Sequence, residues 1–413
     1  MRPASTDGKL RGMTPPDSAW RADAEALLPQ LVDLRRAIHR EPEIGLTNPL
    51  TLAKIKAALA GLPLEFREGG STTGLVATLR GSGNGRTVLL RGDTDALPMS
   101  EDTGLDFASE HAGAMHACGH DTHVAMLVGA AKLLCARRDR LAGTVQFMFQ
   151  PGEEGHHGAR FMLDDGLIDP LPDAAFALHI MPNAPHGIFS GRAGPLLASA
   201  DKIKVLVTGK GGHGSMPHDA IDPVPIACAI VQAIQTFVTR QVPVFDPAVV
   251  TIGKIEAGTT DNVIPETAFL LGTIRTLSPT RRKAMQKGLA KLARGIAEAH
   301  GATADVSFVQ GFPVTVCDAA AVAFGQRVVE DEFGTENWRT LGSPIMGAED
   351  FAYVLEKVPG AMFFLGAAHE GEDWTRCCPI HSNRMVLDER VMARGAALHA
   401  ALAERFLADG FTG

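Results

Sequence analysis

The residues best suited to chemistry begin with the segment HACGHD at 116–121, which places a thiol and an imidazole two positions apart. Glu153 and Glu154 follow a strand-like run, His179 ends another apolar run, and His381 follows a proline-containing approach. Thiolate, imidazole and carboxylate together suit zinc, and mixed carboxylate and imidazole sets also suit manganese, cobalt or nickel. This donor set indicates a metal-dependent hydrolase.

Length and composition are those of a globular enzyme. The chain has 413 residues, which is enough for two domains with separate cores. Its apolar content of 45% and charged content of 21% exclude a disordered chain. A formal net charge of -8, with no basic stripe, argues against a nucleic-acid partner.

The sequence also bears on the cellular compartment. The opening segment MRPASTDGKLRGMTPPDSAW lacks the apolar core of a secretory signal, and no apolar run reaches the roughly 18 residues of a membrane span. The 6 cysteines are scattered without the dense spacing of a disulfide scaffold, which favours a reducing environment. We therefore expect a cytoplasmic protein with no membrane partner.

Strands and helices alternate through the first part of the chain. The predicted strands are 74–79, 86–92, 143–150 and 174–180, and the predicted helices are 17–40 and 121–137. The GSGNG segment between the first two strands is typical of a hairpin turn. The alternation itself predicts an α/β fold with a mostly parallel sheet that is covered on both faces.

Polar side chains follow three of these predicted strands. Asp93 and Asp95 come after the second strand, the Glu153–Glu154 pair comes after the third, and His179 ends the fourth. In open α/β sheets, ligands bind at the carboxyl ends of the strands. We therefore expect these side chains to meet at one rim of the sheet.

The pattern changes near Ala198 to alternating, half-polar strands. The predicted elements there are strands 202–207, 249–255 and 268–275 and helices 223–239 and 279–300. They indicate a small antiparallel sheet that is covered on one side. After Phe312 the first pattern returns, with helices at 319–333, from 349 and at 387–407 and a strand at 361–365. We predict a catalytic domain of residues 1–198 and 313–413, with an inserted α+β domain, here called the satellite domain, at 199–312.

Nine motifs follow one another along nearly the whole chain. They are RGDTDALPM (91–99), MHACGHDTHVAML (115–127), FQPGEEG (149–155), LHI (178–180), GKGGHGSMPH (209–218), DNVIP (261–265), GTIRT (272–276), MGAEDF (346–351) and CPIHS (378–382). In type and order they resemble the dinuclear metallopeptidase and amidohydrolase family. That family includes hippurate hydrolase, the indole-acetyl-amino-acid hydrolases and aminoacylase-like N-acyl-amino-acid amidohydrolases.

The resemblance implies a site with two divalent metal ions per subunit. Manganese or zinc is expected, with cobalt and nickel as alternatives. Asp93 and Asp95 are expected to support the imidazole ligands, because ligating histidines need a carboxylate or carbonyl on the far nitrogen. The implied metal ligands are Cys118, His120, Glu154, His179 and His381.

The resemblance also implies the reaction, which is hydrolysis of N-acyl amino acids such as hippurate. Glu153 would be the general base that takes a proton from the metal-activated water. His213 would reach across a dimer interface to the partner's active site, which implies a homodimer or a dimer of dimers. Asn262 and Arg275 would bind the substrate, because an arginine fork suits a carboxylate.

Several alternatives stay open on the residues alone. Cys118 could be a buried packing residue, the glutamate pair an exposed loop, His179 a core histidine and Arg275 a surface strand residue. A dipeptidase, an aminoacylase or a metallo-carboxypeptidase would use the same metal ligands. A binding protein for acylated amino acids without catalysis would instead need the ligands or the base to be missing, and the sequence contains them all.

Overall fold

The computed structural model describes residues 19–412. Its helices are α1 (Ala19–Arg40), α2 (Pro49–Ala58), α3 (His120–Ala136), α4 (Gly158–Asp164), α5 (Pro223–Gln241), α6 (Pro279–Ala299), α7 (Ala319–Phe333), α8 (Ala352–Leu355) and α9 (Val391–Asp409). Helix α1 matches the first predicted helix, apart from Asp17 and Ser18, which lie outside the described residues.

The strands fall into one large sheet and several smaller ones. They are β1 (Glu65–Glu68), β2 (Leu75–Arg80), β3 (Thr87–Asp93), β4 (Thr144–Gln150), β5 (Ala174–Met181), β6 (Phe189–Gly191), β7 (Gly194–Leu197), β8 (Ser199–Thr208), β9 (Gly212–His213), β10 (Ala248–Ala257), β11 (Val263–Ile264), β12 (Thr267–Thr276), β13 (Thr303–Val309), β14 (Thr315–Cys317), β15 (Trp338–Thr340) and β16 (Gly360–Gly366).

The large sheet has the strand order β1-β2-β4-β3-β5-β16-β6-β15. Its four central strands, β4, β3, β5 and β16, are parallel neighbours. In β3, Val88, Leu89 and Leu90 have no exposed surface. Because successive strand residues point to opposite faces, both faces of the sheet are covered there, and α3 and α9 pack against this strand. The predicted α/β class with a mostly parallel sheet is confirmed.

The GSGNG segment does not form the predicted hairpin. Strands β2 and β3 both pair with β4, which lies between them, antiparallel to β2 and parallel to β3. The amide of Gly81 donates to the carbonyl of Gly143, at 2.9 Å, so the segment packs beside the residue that precedes β4. The hairpin prediction is therefore wrong, because a strand from later in the chain separates the two.

The smaller sheet is antiparallel, in the order β10-β12-β8-β13. In β8, Ile203, Val205 and Val207 are buried and alternate with exposed residues, as in a sheet that is covered on one face. Helices α5 and α6 pack on that face and form a second hydrophobic core with it. This is the α+β unit that the sequence predicts. The limits of the two domains stay a prediction.

The chain passes between the two units at two adjacent places. Strand β7 pairs with β14, with Leu197 opposite Thr315. Beside this pair, the amide of Ala200 donates to the carbonyl of Phe312 at 3.1 Å. The base of the smaller unit is thereby held next to the large sheet.

Within residues 19–412, no helix combines the length and the hydropathy that crossing a bilayer would require.

Candidate metal centre

Three adjacent parallel strands bring most of the predicted site residues to one rim. Asp93 is the last residue of β3, and Glu153 and Glu154 lie just beyond β4. His179 lies in β5, close to the end of that strand at Met181. Because β4, β3 and β5 are parallel neighbours, their carboxyl ends meet, as the sequence predicts.

A left-handed glycine directs two of the donors toward this rim. Gly119 has a φ of +81° and forms the N-cap of α3, between Cys118 and His120. A Cβ atom added at this position would lie 2.6 Å from Cδ1 of Ile180, so a larger residue would require both backbone strain and displacement of a core side chain. The turn at Gly119 is therefore what allows the thiol and the imidazole to face the same site.

The five proposed ligands form two triads that share one sulfur atom. The donor atoms of Cys118, His120 and His179 lie within 4.8 Å of one another, and so do those of Cys118, Glu154 and His381. Sγ of Cys118 is 3.4 Å from Nε2 of His179. On the other side, Nε2 of His381 is 3.1 Å from Oε1 of Glu154. The geometry thus offers two adjacent positions for divalent ions, with the sulfur common to both.

The hydrogen bonds of the histidines fit this role. Nδ1 of His120 donates to the backbone carbonyl of Asp95 at 2.8 Å, and Nδ1 of His179 donates to that of Ile180 at 2.6 Å. Because a carbonyl only accepts, both rings carry a proton on Nδ1, which leaves Nε2 as the nitrogen that can bind a metal ion. Nε2 of His120 is buried and has no hydrogen-bond partner among residues 19–412. A nitrogen that is held in one orientation and has no hydrogen-bond partner is suited to bind a metal ion.

Asp95 fixes several of these residues at once. Its backbone carbonyl holds the ring of His120, as the sequence predicts for a supporting group. Its carboxylate accepts the backbone amides of Glu153 and Glu154, at 2.9 and 3.0 Å. Asp95 is buried, so this arrangement sets the turn that follows β4 and the direction of both glutamates.

Asp93 plays a different structural part. Its Oδ1 accepts from Nδ1 of His123 at 2.6 Å, and Nε2 of His123 accepts the amide of Ile180 at 3.0 Å. Its Oδ2 lies 3.6 Å from Nε2 of His120, the atom that faces the donor cluster. Burial opposes the charge of this carboxylate, but Arg91, His120 and His123 outweigh burial and hold the pKa of Asp93 well below its usual range.

Glu153 and Glu154 are adjacent in sequence and share His120 as a neighbour, but their other neighbours differ. Both have a carboxylate oxygen within 4.8 Å of a ring nitrogen of His120, but Glu154 also joins the triad with Cys118 and His381, whereas Glu153 lies within 4.8 Å of the carboxylates of Glu349 and Asp350. Glu153 is only 6% exposed. Burial, together with the negative charges of Glu349, Glu154 and Asp350, raises the pKa of Glu153 well above its usual range. An environment of this kind favours proton uptake by the carboxylate, as a general base needs.

Sequence reasoning missed the charged network behind Glu153. Arg91 is fully buried, and its guanidinium donates to Gln150 at 2.8 Å, to Asp93 at 2.5 Å and to Glu349 at 2.8 Å. Gln150 also donates to Asp350, at 2.6 Å. A signal was present, because an arginine directly after three buried strand residues needs internal partners. The positions of those partners were not visible in the sequence.

The donors open onto a cavity of about 450 Å³. Its polar lining comprises Cys118, Glu153, Glu154, His179, Arg275, Glu349 and His381. Its apolar lining comprises Met181, Leu197, Phe312, Ile345, Met362, Phe364 and Ile380. The size and the mixture of a few polar groups with apolar walls suit one small organic substrate.

Arg275 reaches this cavity from the smaller sheet. It lies on β12, opposite Ala200 of β8, and it is half-buried. Burial lowers the pKa of its guanidinium, and the nearby Asp201 carboxylate partly offsets this effect. No hydrogen bond or ion pair of Arg275 to another residue of the 19–412 range is present. The cavity thus has metal donors on one side and an unpaired guanidinium on the other.

His213 and Asn262 do not line the cavity. His213 lies on the exposed strand β9, and its Nδ1 accepts from the amide and the hydroxyl of Ser215 at 3.1 and 2.8 Å. Asn262 lies beside it, where its backbone carbonyl accepts the amide of Gly214 at 2.9 Å. The two residues form one exposed corner. Within one chain, this corner contributes neither to the cavity lining nor to the metal-donor groups.

Known proteins are similar to this chain in sequence and in fold. The model of the peptidase family M20/M25/M40 matches residues 89–405. The thermostable carboxypeptidase 1 of Saccharolobus solfataricus is 39% identical, over 91% of this chain and 95% of its own length. An N-acetyl-L-cysteine deacetylase of Bacillus subtilis is 36% identical, over 92% of this chain and 88% of its own length. The crystal structure of the Bacillus subtilis YxeP protein, a dinuclear metal-binding peptidase, superposes with a TM-score of 0.80 at 33% identity, over 93% of this chain and 99% of that one.

The chain therefore belongs to the peptidase family M20/M25/M40. Peptidases of this family cleave amide bonds, and this chain is a metallopeptidase-like, metal-binding hydrolase of that class. The family resemblance of the nine sequence motifs is confirmed.

Proposed function

We propose that the protein is a metal-dependent amidohydrolase that cleaves the amide bond of N-acyl amino acids. The observation that carries this proposal is the pairing of the two donor triads with an unpaired arginine across one cavity. An N-acyl amino acid carries an amide and a free carboxylate, which match these two features. A relative named as an N-acetyl-L-cysteine deacetylase supports the same substrate class.

The proposed site holds two divalent ions, one at each triad. The ions would lower the pKa of a bound water and polarise the scissile carbonyl. Glu153 takes a proton from that water and returns it to the departing amine, because its carboxylate faces the cavity but belongs to neither triad around Cys118. Glu349 and Asp350 keep Glu153 in a proton-accepting environment, and Asp95 fixes its backbone.

A hydrolysis panel tests the proposed substrate class. The metal-loaded enzyme would be assayed with N-benzoyl-glycine, N-acetyl amino acids and free dipeptides at equal concentrations. We expect turnover of the acylated amino acids, because a free dipeptide would place its charged amine against the apolar walls of the cavity. Preferential cleavage of free dipeptides would show a dipeptidase instead, and turnover of none of the three classes would contradict the proposal.

Arg275 is proposed to bind the substrate carboxylate. Arg275→Gln should raise KM for N-acyl amino acids by about tenfold or more, because hydrogen bonds to charged groups contribute roughly 1.5–3 kcal/mol. The KM for the same acyl amino acids with an amidated carboxyl group should change little, since these compounds carry no negative charge for the arginine to bind. Lys254→Gln, an exposed position in the same sheet, is the matched control. Equal losses on acid and amide substrates would assign Arg275 a structural role.

His213 and Asn262 are proposed to complete the site of a second copy of the chain. Their exposed corner is separate from the cavity of their own chain, and a two-fold dimer would create two composite sites. A neutral histidine can stabilise the negative charge that develops on the carbonyl oxygen. The oligomeric state and the cytoplasmic location stay predictions.

Complementation tests this composite site. The His213→Ala variant should lose turnover but keep its bound metal, because His213 belongs to none of the metal-donor groups of its own chain. Mixing it with Glu153→Gln protein and allowing subunit exchange should restore activity, because one site of each heterodimer then has both residues intact. If heterodimers form and no activity returns, His213 does not act on the partner's site.

A further inference from the structure

A second cavity, of about 250 Å³, shares no lining residue with the metal-centre cavity. It lies where residues of α1, α7 and α9 meet. Its charged lining comprises Arg21, Glu25, Arg390 and Arg394. None of these residues has a part in the proposed hydrolysis, so the concentration of arginines here needs a separate explanation.

Arg394 is the central feature of this cavity. Its Nη2 donates to the neutral side chain of Asn337 at 2.8 Å, whereas its buried Nε has no partner in the 19–412 range. The guanidinium carbon lies 4.7 Å from the ring centre of Phe333 and 5.8 Å from that of Phe189. Burial and the nearby positive charge of Arg21 lower the pKa of Arg394 to about 10. Within the described chain, no carboxylate forms an ion pair with this guanidinium.

The carboxylates of Glu25 and Glu336 act on Arg394 electrostatically, but neither forms an ion pair with it within the described residues. Arg390 is already paired, with Asp388 at 2.6 Å and with Glu370 at 3.1 Å. Glu25, on the exposed side of α1, is the one acidic residue among the described residues that line the cavity. Arg394 also lies in the first turn of α9, where the helix dipole disfavours a cation. An anion bound beside Arg394 would supply the missing negative partner and would also interact favourably with the helix dipole.

We propose that this cavity binds a small organic monocarboxylate with a compact apolar body. One guanidinium without a carboxylate partner matches one carboxylate, which it can hold through two parallel hydrogen bonds. Leu28, Phe333 and Ala393 supply apolar walls for the remainder of the molecule. The volume is below the roughly 300–1,000 Å³ of pockets for drug-sized ligands, which favours an acid of about the size of benzoate.

Calorimetric titration of sodium benzoate into the metal-loaded protein tests the site. Arg394→Gln should weaken this binding by about tenfold or more, since it removes the charged hydrogen bonds. Arg384→Gln, an exposed arginine that pairs with Asp102, should leave it unchanged. Benzoate that binds at the metal centre would persist in Arg394→Gln and is thereby distinguished. Equal affinities for wild type and Arg394→Gln would overturn the proposal, and so would tighter Arg394-dependent binding of inorganic phosphate than of benzoate.

A second pair of variants does not depend on the stability of Arg394→Gln. Leu28→Glu places a carboxylate in the cavity, and Leu28→Gln places an uncharged side chain of equal size there. Leu28→Glu should have the higher melting temperature and should no longer bind benzoate, because its own carboxylate pairs with Arg394. Equal melting temperatures with benzoate binding retained in both variants would contradict the proposal.

Discussion

Replacing Glu153 with Gln is expected to lower kcat by about 10²-fold or more while the bound metal remains. The amide of glutamine keeps the size of the side chain but cannot accept the proton of the attacking water. Glu153 lies outside both triads around Cys118, so its loss removes no donor from them. Steady-state kinetics and metal analysis on the same preparation measure the two effects separately.

Glu154→Gln is the matched control for this experiment. It makes the same chemical change at the neighbouring residue, which belongs to the triad with Cys118 and His381. Here the metal content should fall, and activity should recover at least partly when excess divalent ion is added. If Glu153→Gln loses metal and Glu154→Gln keeps it, the roles of the two glutamates must be exchanged.

Exhaustive chelation is expected to abolish activity, and a divalent ion should restore it. Without metal, the donor cluster contains no group that would lower the pKa of water to near neutrality. The chelated protein should be assayed, then reloaded separately with manganese, zinc, cobalt or nickel and assayed again. Far-ultraviolet circular dichroism on each sample would show whether the fold persists. Full activity in chelated, folded protein would rule out the proposed chemistry.

The meeting of polar side chains at one rim could be predicted because its local causes are visible in the sequence. Glu153 and Glu154 directly follow a buried strand, and Cys118 and His120 flank a glycine at a helix start. The carboxyl ends of neighbouring parallel strands must converge, whatever the rest of the fold does. The ligand role of His381, like the complete ligand set, was implied by the resemblance, because its segment comes from far along the chain.

Features that depend on tertiary neighbours were not predictable in this way. The prediction of a hairpin at GSGNG is wrong because tertiary packing sets the strand order, and β4 pairs with both β2 and β3. The helix predicted from Glu349 is reduced to α8, which begins only at Ala352. The carboxylate of Glu349 instead accepts the amide of Phe351, at 2.8 Å, and binds Arg91. A partner as distant in sequence as Arg91 leaves no local pattern around Glu349.

The central claim is that the two triads that meet at Cys118 would hold two divalent ions, and metal stoichiometry tests it most directly. Protein dialysed to equilibrium with a divalent ion would be analysed by inductively coupled plasma mass spectrometry, for wild type, Cys118→Ser and the exposed control Cys228→Ser. Two ions per chain are predicted for wild type and Cys228→Ser. Cys118→Ser should retain fewer, because both triads lose a ligand. One ion per chain in wild type, or two ions in Cys118→Ser at unchanged affinity, would contradict the account.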